Sequence, residues 1–102
     1  MDVQEVIKQQ VTSHPVVLYM KGSPQFPQCG FSANAVRILN GLGVKELFTV
    51  DVLQHADIRQ GVKDYANWPT VPQLYINGEF VGGSDIMTEM YQSGELKNLL
   101  KA

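Results

Sequence analysis

The only cysteine in the chain, Cys29, stands in the run Gln28-Cys29-Gly30-Phe31-Ser32. A thiolate is both a nucleophile and a soft metal ligand, so one thiol can take part in sulfur exchange or give one bond to a metal centre. A lone cysteine is also often small buried filler, and its setting decides between the two. The preceding stretch, KGSPQFPQ over 21–28, is made of loop formers. After Cys29, residues Ala33, Ala35, Val36, Ile38, Leu39 and Leu42 recur at helical spacing, with Gly41 and Gly43 in C-terminal positions. Cys29 therefore falls where a strand gives way to a helix, and unpaired backbone N–H groups at a helix start stabilise a sulfur anion. Lys21, at the strand end, adds positive charge. Gly30 reads either as room for a ligand to approach the sulfur or as a permissive turn residue.

Other residues carry chemistry of a different kind. Gly82-Gly83-Ser84-Asp85 ends a strand and opens a helix, which makes either an anion site built from backbone N–H groups or a plain N-cap turn, with Ser84 or Asp85 as the cap. In Thr70-Val71-Pro72 the proline cannot sit in the middle of a strand, and X-Pro statistics alone favour a trans bond. Taken singly, Arg59 and Lys63 read as solvated charges on an exposed helix face. Trp68 and Pro69 read as packing residues, and Phe31 as either core or a wall over the sulfur. His14 and His55 fall at helix boundaries as surface or capping residues, and Met87 and Met90 read as core of the last helix.

These residues need a frame. Asp2 with Glu5 resembles a capping box, and Val3, Val6, Ile7 and Val11 predict a helix over 2–13, stopped by His14-Pro15. The apolar runs VVLYM (16–20) and LFTVDV (47–52) read as strands, with a helix after the second carrying Ile58, Val62, Tyr65 and Ala66 on one face. PQLYI and EFVGG flank Asn77-Gly78, a hairpin signal, and a last helical region over 84–101 is interrupted at Ser93-Gly94. The order helix-β-α-β-α-β-β-α predicts an α/β fold of thioredoxin-like arrangement: a four-stranded mixed sheet flanked by helices on both faces, with the first two strands parallel through a right-handed crossover.

At 102 residues, one domain over 1–102 is expected. A net charge of −2 without a basic run argues against nucleic acid, and no apolar run reaches the ~20 residues of a membrane span. One cysteine cannot form an intrachain disulfide, which fits a reducing, cytoplasmic setting. Nor can one cysteine and two histidines complete a structural zinc site without carboxylates.

Together, KGSPQFPQCGFS, WPTVPQLYINGEF and VGGSDI resemble the monothiol glutaredoxins of the CGFS type, over nearly the whole chain and in the family's order. Compared with dithiol glutaredoxins, the loop from Lys21 to Cys29 is longer and Ser32 replaces the second active-site cysteine. Many relatives have a cysteine where this chain has Ser84, so an internal disulfide is not expected here. The resemblance implies a cis Val71–Pro72 bond, with the Val71 backbone presented to an extended peptide. It also implies a glutathione site. In the Gly83–Asp85 turn, backbone N–H groups at Ser84 and Asp85 meet the γ-glutamyl carboxylate, and the Asp85 side chain meets the amine. Lys21 and Arg59 meet the glycyl carboxylate, with Lys63 or Asn67 as helpers.

Three functions follow from the resemblance. One is a carrier of a 2Fe-2S cluster held between two chains by Cys29 and glutathione, serving apo iron–sulfur recipients. The second is a glutathione-dependent monothiol oxidoreductase acting through Cys29. The third is an adaptor for a BolA-like partner. The resemblance favours the carrier, as a homodimer when cluster-bound, with weak oxidoreductase activity.

Overall fold

A computed structural model describes residues 2–101. Helix α1 (Val3–Ser13) precedes strand β1 (Val16–Met20), α2 (Gly30–Gly41), β2 (Leu47–Asp51), α3 (Ala56–Ala66), β3 (Gln73–Ile76), β4 (Glu79–Gly82), α4 (Ser84–Ser93) and α5 (Glu95–Lys101). The sheet order is β2-β1-β3-β4. β1 runs parallel to β2 and antiparallel to β3, and β3 pairs antiparallel with β4, so the mixed sheet read from the sequence is the one observed.

Strand periodicity distributes the core. Val16, Leu18 and Met20 face one side of the sheet and pack with Ala35, Leu39, Met87 and Leu96 from α2, α4 and α5. Val17 and Tyr19 face the other side and pack with Ile7, Val11, Ile58 and Val62 from α1 and α3. Every residue of β1 is buried, as a central strand covered on both faces requires. The strand is thereby fixed along its length, and its C-terminal end delivers the chain to the segment containing Cys29.

Local signals account for most boundaries. Asp2 caps α1, its side chain accepting from the Glu5 N–H at 3.0 Å. His14 closes that helix and stacks on Phe48 with ring centroids 4.0 Å apart. Asn77 and Gly78 both have positive φ, 51° and 83°, as a two-residue hairpin of type I′ needs. Gly94, at φ 87°, separates α4 from α5. One reading is corrected at the start of α4. The N-cap is Gly83, not Ser84 or Asp85, and no side chain caps the helix. Its first N–H groups are left without a side-chain partner, because the opening turn of a helix has none of its own.

Buried Gln73 at the start of β3 shapes the segment in front of it. Its amide donates to the Trp68 and Thr70 carbonyls at 3.4 and 3.3 Å, and its oxygen accepts from the Tyr75 hydroxyl at 2.9 Å. Replacing it with an apolar residue would strand all three partners, at about 1–3 kcal/mol for a buried unsatisfied group. Gln73→Leu is therefore expected to lower the urea midpoint by an amount corresponding to about 1–3 kcal/mol. An unchanged midpoint would show that these bonds do not hold the 68–72 segment.

Candidate functional site

Cys29 is the N-cap of α2. Its Sγ accepts from the Ser32 backbone N–H at 3.3 Å, the position a serine or aspartate oxygen takes in an ordinary cap. The Ser32 hydroxyl lies 3.4 Å from the same sulfur. Burial pushes the thiol up. The Ser32 hydroxyl, the Ser32 and Phe31 N–H groups and the charge of Lys21 outweigh that, and the pKa ends below that of an ordinary cysteine. Ser32 itself is fully buried, and its oxygen accepts from the Lys21 backbone N–H at 3.0 Å. With that lone pair occupied, its proton is available to the sulfur. The residue in the second-cysteine position thus joins the end of β1 to the start of α2.

The loop between them is a tight hairpin. Ser23 and Phe26 exchange backbone bonds at 3.2 and 3.1 Å, Gly22 pairs with Pro27, and the Gln28 N–H donates to the Lys21 carbonyl at 2.8 Å. Gly22 has φ 87°, and a Cβ there would lie 2.4 Å from the Phe26 carbonyl oxygen, so only glycine fits. Asp51, at the end of β2, anchors the loop by accepting from the Gly22 and Leu53 N–H groups at 2.9 Å each. Sequence reasoning missed Asp51, whose only signal was an acid at a strand end.

Beside the sulfur lies a cleft of about 350 Å³, within the range of small-molecule sites. Lys21, Phe31, Arg59, Lys63, Val71, Pro72, Gly83, Ser84 and Asp85 all line it, joined by Thr70 and Ile86, which stood within the quoted motifs without a site role. Cys29 is not among the lining residues; it is tied to the cleft by two residues that are, Lys21, whose charge acts on its thiol, and Phe31, two positions along the chain. Phe31 is 64% exposed and belongs to the wall, not the core. Trp68 and Pro69, expected as packing, also line the cleft, while Trp68 packs on Phe80. Asn67 forms the left-handed C-cap of α3 and is not part of the lining. A Cβ on Gly30 would meet nothing within 4 Å, so the approach to the sulfur is open on that side.

Charge is divided along the cleft. Lys21, Arg59 and Lys63 supply cationic side chains, and the uncapped start of α4 supplies backbone N–H groups next to the Asp85 carboxylate. Val71 and Pro72, both buried, line the same cleft, and their peptide bond is cis, as the family resemblance implied and against the X-Pro preference. Such a cleft offers donors to anionic groups both from its cationic side chains and from the start of α4, with a carboxylate beside the latter.

Residues 16–81 match the family model described as Glutaredoxin. The chain is 60% identical over 95 residues to a Ycf64-like monothiol glutaredoxin of Synechocystis sp., covering 93% of this chain and 88% of that protein. It is similar in structure to reduced apo GrxS14 of poplar, with a TM-score of 0.84 and 49% identity over 97% of this chain and 90% of that one. It is also similar to the glutaredoxin of a buckwheat glutaredoxin–glutathione complex, with a TM-score of 0.85 and 25% identity over 97% and 87% of the two chains.

The sulfur's environment leads to a direct test. Removing the Ser32 hydroxyl takes away a donor that favours the thiolate, so the Cys29 pKa should rise. The alkylation rate of Ser32→Ala, followed against pH, should reach its midpoint at higher pH than wild type. Below that new midpoint the variant should react more slowly than wild type. A midpoint that stays put would assign the anion's stability to the backbone N–H groups and Lys21 alone.

Proposed function

The chain belongs to the glutaredoxin family, with relatives of the monothiol type, and on that premise we propose that it holds glutathione in the cleft and carries a 2Fe-2S cluster shared between two copies of itself. The observation that carries the reading is one thiol of lowered pKa next to a cleft lined by cationic side chains and by the uncapped start of a helix. Such a cluster takes four thiolate ligands. Among the described residues, no group of three or more His, Cys, Asp or Glu could hold a metal ion, so the remaining ligands must come from outside the chain. Two Cys29 sulfurs and two glutathione sulfurs make up the set.

In this reading Lys21 and Arg59, helped by Lys63, take the glycyl carboxylate of glutathione. The Val71 backbone pairs with its peptide groups, and Phe31 and Pro72 wall the cysteinyl part. The N–H groups of Gly83, Ser84 and Asp85 take the γ-glutamyl carboxylate, and the Asp85 side chain faces the amine. Apoprotein recipients and a BolA-like partner belong to the same proposal as destinations of the cluster. So does a cytoplasmic setting, which keeps the thiols reduced. No helix among the described residues is long and apolar enough to cross a membrane.

The lowered Cys29 pKa also favours a second activity. The Cys29 thiolate would attack the glutathione sulfur of a protein mixed disulfide, and the protein thiolate would leave and take a proton. The thiolate of a second glutathione would then attack the Cys29-linked glutathione, releasing oxidised glutathione and restoring the Cys29 thiolate.

Two measurements test the proposal. Protein reconstituted anaerobically with iron, sulfide and glutathione should sediment as a coloured dimer, and withdrawal of glutathione should remove colour and dimer together. Cys29→Ser should fold yet gain neither; a coloured monomer, or a holo dimer without glutathione, overturns the carrier reading. Separately, Arg59→Ala and Asp85→Ala should each weaken glutathione binding about threefold to tenfold, charge-assisted bonds being partly screened at these exposed side chains. Unchanged calorimetric affinity in both variants would remove the two ends of the site.

A further inference from the structure

Asn34, on the second turn of α2, reaches across to the start of α4. Its amide nitrogen donates to the Ser84 hydroxyl at 2.9 Å and to the Thr88 hydroxyl at 3.0 Å. Its amide oxygen accepts from the Arg37 guanidinium at 2.9 Å. Arginine has donors only, so the group facing Arg37 must be the carbonyl oxygen, and both amide hydrogens are thereby turned toward α4. Thr88 gives its own proton to the Ser84 carbonyl at 3.0 Å and can only accept from Asn34. Ser84 is different. Among the described residues its side chain takes part only as an acceptor, from Asn34, which leaves its proton unassigned. Ser84 is buried and lines the cleft beside the free N–H groups of α4.

From this chain of donors we infer that Asn34, held by Arg37, is a positioning residue that turns the Ser84 hydroxyl into a donor to the carboxylate at the α4 end of the cleft. The inference rests on the reading of the cleft as a glutathione site and adds a side-chain donor to its backbone N–H groups. The relay also ties the helix that begins at the sulfur to the helix that begins at the anion site. A purely mechanical tie would tolerate a reversed hydrogen bond; an orienting role would not. Asn34→Asp separates them. An aspartate can accept from Ser84, so the helices stay linked while the serine proton is drawn away from the cleft.

Glutathione binding, measured by calorimetry on the reduced full chain, is the test. If wild type shows no binding, the site itself is refuted, and the inference falls with it. Given wild-type binding, Ser84→Ala should weaken it about tenfold or more, as expected for one lost bond to a charged group. Asn34→Asp and Asn34→Leu should weaken it similarly, and neither should weaken it further in a Ser84→Ala background. Affinity kept by Asn34→Asp would overturn the orienting role, and so would an Asn34→Asp loss that persists without the Ser84 hydroxyl, which would mark a plain charge effect. The pH midpoint for Cys29 alkylation serves as the second readout. If it moves in step with affinity across the Asn34 variants, α2 as a whole has shifted and Asn34 is only a structural tie. If Asn34→Leu does not fold, the Asn34→Asp and Ser84→Ala pair still decides the matter.

Discussion

The interaction on which the site depends is the capping of α2 by sulfur. A helix start leaves N–H groups without internal partners, and here the atom that satisfies one of them is Cys29 Sγ, 3.3 Å from the Ser32 nitrogen. Oxygen caps serve helix stability and little else. A sulfur cap couples that same interaction to reactivity, because the better the N–H groups are satisfied by an anion, the more thiolate is present. Burial acts in the opposite direction, and the half-buried position of Cys29 is a balance in which the donors win. The loop before the cysteine is tied down by Asp51 and by its own bonds, so the sulfur is presented by a fixed mount.

A second helix start faces the same cleft and is treated in the opposite way. α4 begins at Gly83 with no capping side chain, so its donors remain for whatever enters. A side-chain cap at this position would satisfy those donors internally and leave fewer of them facing the cleft. Glycine also permits close approach: a Cβ on Gly83 would lie 3.3 Å from the Pro72 carbonyl oxygen and 3.4 Å from Trp68 Nε1. The two helix starts thus divide the work, one occupied by its own sulfur and the other left open, with the sheet end holding them apart.

Most of the frame was legible in the sequence because it follows from local chemistry. The continuous apolar run of β1 predicted a buried strand, Asn77-Gly78 the hairpin between β3 and β4, and Ser93-Gly94 the break between the last helices. The junction at Cys29 was read from a loop-rich stretch followed by helical spacing; of the residues named for the site, Cys29 caps the adjoining helix, Asn67 caps α3 away from the lining, and the rest line the cleft. What escaped were contacts made by the fold itself. Asp51 meets Gly22 across 29 positions, and Asn34 meets Ser84 across 50; neither pairing leaves a periodic or compositional trace. The cap of α4 was misread because Ser84 and Asp85 are good capping residues by type, whereas the chain turns one residue earlier. The cis bond at Pro72 came only from family resemblance, since residue statistics point the other way.

Ser32 draws these strands together. In the position of a resolving thiol it is a fully buried hydroxyl that accepts from the end of β1 and stands 3.4 Å from the sulfur. A hydroxyl there stabilises negative charge on Cys29 but cannot displace a group bound to it, because an alcohol is far too weak an acid to supply the attacking anion at neutral pH. Any bond formed at Cys29 must therefore be broken by a reagent from outside the chain. A site with no internal means of release depends on binding that reagent close to the sulfur, and in the proposed function that binding falls to the cleft lined by Lys21, Arg59, Lys63 and the uncapped start of α4. On the proposed reading, the single thiol and the charged cleft answer one constraint: a chain that supplies one poised sulfur has to draw the rest of its chemistry from outside.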